Sequence, residues 1–280
     1  MRTLVLGDVH GRIEALKEVL TKAKFDYVND KLIILGDIVD GGLNTDLVLD
    51  ELIKIKNTVF IIGNHDLWHM NFLFKGTTPS EWINQGGANT LNSYGGKVIP
   101  NDKLSAAPIM IDVNGVRVPK THVEFLASGI YFYENDNMLF VHGGIDPDKE
   151  LEEQDTHTLL WDRDIIRYAE DNKIKNYDKV FIGHTTTQHI ERNWLNYKCR
   201  TCKHEWEKEV NNKTDMMENM VCEKCKSTNV YQSVGCTHPI KIGNLYCLDC
   251  GAGWSGRLVI MDINTEEYWG SELQEPAIVR

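Results

Sequence analysis

The chain has 280 residues, 42% of them hydrophobic and 25% charged, which excludes a disordered, collagen-like or fibrous protein. This length accommodates one large domain or two small ones with a sizeable core, and no run approaches the roughly 20 apolar residues that span a bilayer. With 30 basic against 41 acidic side chains the formal charge is −11, which repels phosphodiester polymers and argues against nucleic acid as a partner. No membrane partner is expected, and a small anionic substrate would need a local positive site of the kind that metal ions supply. The start, Met1 to Arg12, lacks the apolar core and cleavage site of a signal peptide, so a cytoplasmic protein is expected. Seven cysteines, an odd number without an export signal, favour thiolate metal ligation over disulfides.

The first half alternates short β-branched runs with amphipathic helical patterns. Thr3–Leu6 reads as a strand ending at Gly7, and Arg12–Lys22 as a helix with Ile13, Leu16, Val19 and Leu20 on one face. Lys31–Leu35 repeats the strand, Thr45–Ile55 the helix, and Thr58–Ile62 gives a third strand ending at Gly63. Such a β-α-β-α-β series predicts a largely parallel sheet covered by helices, with ligands at the carboxyl ends of its strands. Further along, Trp82–Gly87 reads as a helix end with a glycine cap, and Pro119 as the opening of a short helix through Phe125.

The second half reads as a second sheet. Ile130–Glu134 and Met138–His142 flank the turn Asn135-Asp136-Asn137, Lys179–Ile182 is another strand, and Leu245–Asp249 and Arg257–Ile263 flank Gly251-Ala252-Gly253. Two sheets with outer helices make an α/β sandwich. There is no internal repeat, and the sharpest change of composition falls at about 197–236, where cysteines and alternating charges replace the apolar period.

Each strand end carries the same kind of chemistry. The first gives Gly7-Asp8-Val9-His10-Gly11, the second Gly36-Asp37-Ile38-Val39-Asp40-Gly41 and the third Gly63-Asn64-His65-Asp66; later come Val141-His142-Gly143-Gly144 and Gly183-His184-Thr185. A lone Asp after a strand is usually a helix N-cap and a lone buried His a satisfied core group. Five glycine-flanked polar ends in one chain are not explained that way. Carboxylate, imidazole and amide donors without thiolates suit Mn²⁺, Fe or Zn²⁺, and an acidic cluster offsets the repulsion of two cations about 4 Å apart.

In these motifs the chain resembles the PPP-type serine/threonine metallophosphatases of the calcineurin-like metallophosphoesterase superfamily, bacterial and phage type. The family pattern GDxHG, GDxVDRG, GNHE or GNHD, HGG and GH occurs in order over residues 3–192, and the likeness resumes from about 240 to 270. The resemblance implies a four-layer α/β/β/α sandwich. It implies Asp8, His10 and His184 as ligands of one divalent ion, Asp37 as the bridge, and Asn64 and His142 as ligands of the other. A hydroxide shared by two such cations would attack phosphorus directly. His65 is then placed as general acid and Asp40 as the group orienting it. The chain departs from the pattern at Gly41, where the family has an arginine that clamps phosphate. Arg163 stands where related enzymes carry another phosphate-contacting arginine, and Arg12 and Arg192 flank the motifs as candidate substitutes.

Cys199-Arg200-Thr201-Cys202 and Cys222-Glu223-Lys224-Cys225, nineteen residues apart, read as two knuckles of a structural Zn²⁺ site. Short strands at Lys203–Val210 and Asn229–Gln232 would complete a ribbon, with Cys236 and His238 as outside candidates for its ligand set. Cys247 and Cys250 read as packing residues. The expected organisation is a catalytic domain, 1–196 and 237–280, with a zinc ribbon, 197–236, inserted. The ribbon is near neutral, with seven basic and six acidic residues from Lys198 to Lys226, so nucleic acid is an unlikely partner for it. The expected activity is metal-dependent hydrolysis of phosphomonoesters, foremost phosphoserine or phosphothreonine in proteins. The alternatives are a nucleotide phosphohydrolase acting on dinucleoside polyphosphates or cyclic nucleotides, and a ribbon-based binding or regulatory protein with a vestigial core. Oligomeric state is not legible in the sequence.

Overall fold

The computed structural model describes residues 1–99, 110–210 and 220–277. Its strands are β1 Thr3–Leu6, β2 Lys31–Ile34, β3 Asn57–Phe60, β4 Lys97–Ile99, β5 Met110–Asp112, β6 Phe132–Asn135, β7 Met138–Val141 and β8 Lys179–Ile182. They continue as β9 Trp194–Cys199, β10 Glu205–Glu209, β11 Val230–Val234, β12 Ile240–Ile242, β13 Leu245–Cys247, β14 Val259–Asp262 and β15 Tyr268–Gly270. The helices are α1 Ile13–Lys22, α2 Thr45–Leu52, α3 Asn64–Lys75, α4 Ser80–Trp82, α5 Ala88–Ser93, α6 Lys120–Ala127, α7 Thr156–Trp161, α8 Asp164–Asp171 and α9 Thr187–Ile190.

Two five-stranded sheets pack face to face. The first has the order β15-β14-β1-β2-β3, with β1, β2 and β3 parallel; the second has the order β12-β13-β8-β7-β6, with β13, β8 and β7 parallel. Val5, Ile33, Leu35 and Ile61 of the first meet Phe140, Phe181, Tyr246 and Leu248 of the second in a closed apolar layer. Because side chains alternate along a strand, the neighbours Leu4, Leu6, Leu32 and Ile34 face the opposite way and bury the apolar stripes of α1 and α2. Leu139, Val141, Val180 and Ile182 likewise receive Ile165, Ile166 and Ala169 of α8. The result is the expected four-layer α/β/β/α sandwich, with both parallel sets ending on one edge.

A three-stranded antiparallel sheet, β10-β9-β11, carries the first four cysteines. Its segment 211–219 lies outside the described residues. Trp82–Gly87 is not the end of a helix. α4 runs through a one-turn π-type kink at Ile83–Gly87, with Gly86 at φ +108°, and α5 continues to Ser93. Among the described residues no helix is long and apolar enough to cross a membrane.

Candidate metal centre

Asp8 and Asp37 are not helix caps. Arg12 and Asn44 occupy the N-cap positions of α1 and α2, neither with a side-chain cap bond, while both carboxylates are buried at the sheet edge. His10, Asp37, Asp40 and His184 all take left-handed backbone angles, φ +49°, +48°, +69° and +59°. Such conformations are uncommon for residues with a Cβ, and their concentration here marks a site whose side-chain directions outweigh backbone preference. Gly63 and Gly183 are required by close approach, since a Cβ would lie 2.1 Å from Asp37 Oδ1 and 2.3 Å from Asp8 Oδ1 respectively.

The donors form two groups that share Asp37. Donor atoms of Asp8, His10 and Asp37 all lie within 4.8 Å of one another, as do those of Asp37, His142 and His184. His10 Nε2 is 3.7 Å and His142 Nε2 3.4 Å from Asp37 Oδ2. Asn64 Oδ1 stands 3.0 Å from His142 Nε2 and 2.9 Å from His184 Nδ1, so the amide belongs to the second group. His184 therefore falls with Asn64 and His142 rather than with Asp8 and His10, as the sequence reading had placed it. The reason is sheet order: β8 lies beside β7, which sets the two histidines against each other with ring centroids 5.2 Å apart.

The imidazoles are aimed by backbone carbonyls, His10 Nδ1 at Val39 O (3.1 Å) and His142 Nδ1 at Leu35 O (2.6 Å), which turns both Nε2 atoms toward Asp37. Asp66, missed in the sequence as a site residue, clamps two strand ends together. Its carboxylate accepts from the amides of Asp37 (2.7 Å), Ile38 (3.0 Å) and Gly63 (2.8 Å). Asp249, after β13, was also missed. It is buried close to Asp8, and its signal was the same strand-end pattern, Leu248-Asp249-Cys250-Gly251, masked by the two cysteines.

Electrostatically the buried carboxylates crowd one another. Burial, with Asp249 and Asp37 nearby, pushes the Asp8 carboxyl well above its usual range, and burial likewise lifts Asp66 to about 7 and Asp249 to about 6. Asp37 is held low: burial opposes ionisation, but His142, His65 and His10 outweigh it. Burial lowers His10 to about 4 and, with His142 and Arg163, His184 to about 3, so both are neutral imidazoles suited to ligation. Asp8 Oδ1 and His184 Nε2 have no hydrogen-bond partner among the described residues. Buried carboxylates in mutual repulsion, neutral imidazoles and orphaned donor atoms fit a pair of divalent cations, with oxygen and nitrogen ligands and no thiolate.

Beside this centre His65 Nδ1 is 2.6 Å from Asp40 Oδ2, both side chains buried. Burial alone would lower the imidazole; Asp37 and Asp40 raise it to about 9. Arg163 is exposed, near enough to depress His184, and forms no ion pair among the described residues. Arg12 is not a free substitute for the missing clamp. Its Nε and Nη2 donate to the carbonyls of Ala252 and Gly253, both at 3.1 Å. Arg192 is exposed and likewise without an ion pair among the described residues. Gly41, at φ +68°, sits with the position of a Cβ 3.0 Å from Gly253 O and 3.1 Å from His10 Cβ. Trp68 and Trp161, edge to face at 5.1 Å, wall the other side, 5.0 Å from His65 and 5.7 Å from His184. A cleft of about 630 Å³ near Glu134, Asp148 and Tyr177 includes none of these residues.

The four ribbon cysteines converge. Cys199 Sγ is 3.5 Å from Cys225 Sγ and Cys202 Sγ 3.6 Å from Cys222 Sγ, close to the roughly 3.8 Å edge of a zinc tetrathiolate with about 2.3 Å bonds. The two knuckles have the same backbone turn: Lys203 N donates to Cys199 O (2.9 Å), Lys226 N to Cys222 O (2.8 Å), and both lysines have positive φ. Cys236 and His238 stay outside: the Cys236 thiol points at His238 O, and His238 Nε2 pairs with Glu207. Cys247 and Cys250 are buried, Cys247 within the apolar layer under α8.

The profile of the calcineurin-like phosphoesterase family matches residues 1–219. A Coxiella burnetii (strain Dugway 5J108-111) protein named bis(5'-nucleosyl)-tetraphosphatase, symmetrical, is 38% identical over 66 residues, 24% of this chain and only 23% of that protein's length. An Actinobacillus succinogenes protein of the same name is 24% identical over 295 residues, with 93% of both chains covered. Among solved structures, one provisionally named a diadenosine tetraphosphatase superposes with a TM-score of 0.56 at 13% identity, over 96% of this chain and 92% of the other. The cold-active protein-tyrosine phosphatase of a Shewanella species gives 0.51 at 14% identity, over 96% and 80%. At such identities these two structures show the fold alone.

Proposed function

The chain belongs to the calcineurin-like phosphoesterase family and is a metal-dependent hydrolase, and on that premise we propose that its substrates are nucleotides, foremost symmetrical bis(5'-nucleosyl) tetraphosphates. The observation that carries phosphoryl hydrolysis is the double donor group around Asp37 with the His65–Asp40 pair beside it. What supports the nucleotide class is the name shared by relatives, one of which is covered over 93% of its length. The preference for phosphoserine or phosphothreonine rested on motif order, and the same core of ligands serves both classes.

Asp8, His10 and Asp37 would hold one ion, and Asp37, Asn64, His142 and His184 the other. When bound, the pair of divalent cations supplies a nucleophilic hydroxide at neutral pH and offsets phosphoryl charge. His65, whose Nδ1 is committed to Asp40, presents Nε2 to the leaving-group oxygen and delivers its proton. Arg163, whose charge reaches His184, contacts the phosphoryl oxygens. Cys199, Cys202, Cys222 and Cys225 would hold one Zn²⁺ and fix the inserted ribbon at 197–236.

Hydrolysis of a dinucleoside tetraphosphate, a cyclic nucleotide and a phosphopeptide with Mn²⁺ tests the reading, with metals counted by mass spectrometry. We expect the tetraphosphate to have the highest kcat/KM and the loaded protein to carry two core ions plus one zinc. A phosphopeptide preferred by tenfold or more restores the protein-phosphatase reading. No turnover with Mn²⁺, Fe²⁺ or Zn²⁺ leaves the binding role.

A further inference from the structure

The Asp40 carboxylate is entirely buried, and among the described residues its oxygens meet three side chains and no backbone amide. Oδ2 accepts from His65 Nδ1 (2.6 Å) and from the indole Nε1 of Trp82 (2.9 Å), while Oδ1 accepts from Thr90 Oγ1 (2.7 Å). Thr90 Oγ1 in turn accepts from the amide of Asp40 (2.8 Å) and stands 3.1 Å from Thr45 Oγ1. Trp82, Thr90 and Thr45 are all fully buried. The kink between α4 and α5 is what brings the two donors to opposite sides of one carboxylate. Gly86, at φ +108°, lies so close to Gly41 that a Cβ would be 2.3 Å from its amide, and Gly87 leaves room for the indole.

We propose that Trp82 and Thr90 are positioning residues of the hydrolysis, fixing the plane of the Asp40 carboxylate and through it the His65 imidazole. Trp82 has a single polar atom, and it is directed at the oxygen that His65 shares. A carboxylate held by Trp82 at one oxygen and by Thr90 at the other cannot rotate about its Cβ–Cγ bond without leaving a buried donor unpaired, a loss that buried polar groups resist. The orientation of the imidazole is therefore set by residues of the 80–93 segment rather than by Asp40 alone. This inference rests on the acid role of His65 proposed above.

The test uses the full chain loaded with Mn²⁺ and a series of substituted phenyl phosphates from good to poor leaving groups, in Trp82→Phe, Thr90→Val, Thr90→Ser and Asp40→Asn. Expected is a graded loss in Trp82→Phe and Thr90→Val: about tenfold in kcat for the poorest leaving group and less than about threefold for the best, with KM nearly constant. Thr90→Ser, which keeps the hydroxyl, restores the wild-type gradient. In metal-free protein labelled with ¹⁵N-histidine, the His65 Nδ1–H resonance shifts or is lost to exchange in Trp82→Phe and Thr90→Val but not in Thr90→Ser. A graded loss in Asp40→Asn together with a uniform loss, or none, and an unmoved resonance in Trp82→Phe and Thr90→Val overturns the inference and spares the acid reading. No gradient in Asp40→Asn itself overturns the acid reading, and the inference with it.

Discussion

Gly253→Ala tests whether the turn after β13 holds the first metal group. A Cβ at this position would lie 2.6 Å from His10 Cδ2 and 2.8 Å from Cγ, against 3.4–4 Å for ordinary contact, so the imidazole or the turn must yield by about 0.8 Å. The ring has little room to recede, because Nδ1 is tied to Val39 O and its edge meets His65 at 5.1 Å. If the turn yields instead, Arg12 loses its bonds to Ala252 O and Gly253 O. Metal–ligand distances tolerate about 0.2 Å, and a misplacement of about 1 Å in a catalytic group costs about 10²-fold. The variant should fold, with about 1–3 kcal/mol lost to overpacking. Calorimetric titration with Mn²⁺ should show one ion bound as in the wild type and the other weakened about 10²-fold, with a parallel fall in kcat/KM. Two ions bound at native affinity would falsify the idea that this turn fixes His10.

Asp37→Asn should weaken both core ions together, since its carboxylate belongs to both donor groups; undiminished affinity at either site shows that it is not shared. Arg163→Ala should lower kcat/KM by about 10–100-fold, the worth of a charge-assisted contact of about 1.5–3 kcal/mol, because Arg12 is engaged elsewhere. A loss below twofold makes Arg163 an ordinary surface charge. Away from the site, Glu266 bonds Lys179 Nζ (2.7 Å), Lys241 Nζ (3.0 Å) and Tyr246 OH (2.6 Å), and Lys179 foremost lowers its carboxyl from 4.5 to about 2. A depressed carboxyl stabilises the fold above its unfolded value of 4.5, and the contribution disappears as pH falls through about 2. Glu266→Gln should therefore cost about 1 kcal/mol at pH 7, a modest figure because the carboxylate is 35% exposed, and nothing below pH 2. A Tm difference unchanged between pH 7 and pH 2 shows that this charge is not involved.

The strand ends were legible because each apolar run stops at a glycine followed by polar residues, and both sheets place those ends on one edge. Two things were hidden, each for its own reason. The donor group a strand-end residue joins depends on the order of strands across a sheet, which order along the chain does not reveal; the family resemblance put His184 with Asp8, whereas β8 neighbours β7. Asp249 was overlooked because the cysteines on either side mask its strand-end pattern, although β13 lies directly beside β8. The kink at Gly86 resembled a cap because a glycine at positive φ ends many helices, and only its contact with Gly41 reveals the alternative.

The missing arginine has a physical explanation in the turn that replaces it. Any side chain at Gly41 must share its space with Gly253 and His10, and the guanidinium of Arg12 instead ties the Ala252 and Gly253 carbonyls in place from 240 and 241 residues away in sequence. The Arg12 guanidinium thus supports the turn against which His10 packs. With that turn bound to Gln188 through Ser255, and Gln188 Nε2 donating to Ser233 Oγ and Val234 O of β11, the ribbon is joined to the His10 side of the centre. In the proposed mechanism phosphoryl charge would then be met by the cations and by Arg163, whose charge reaches His184. Trp68 and Trp161, both half-buried, lie 5.0 Å from His65 and 5.7 Å from His184, so two indoles border the centre itself on that side.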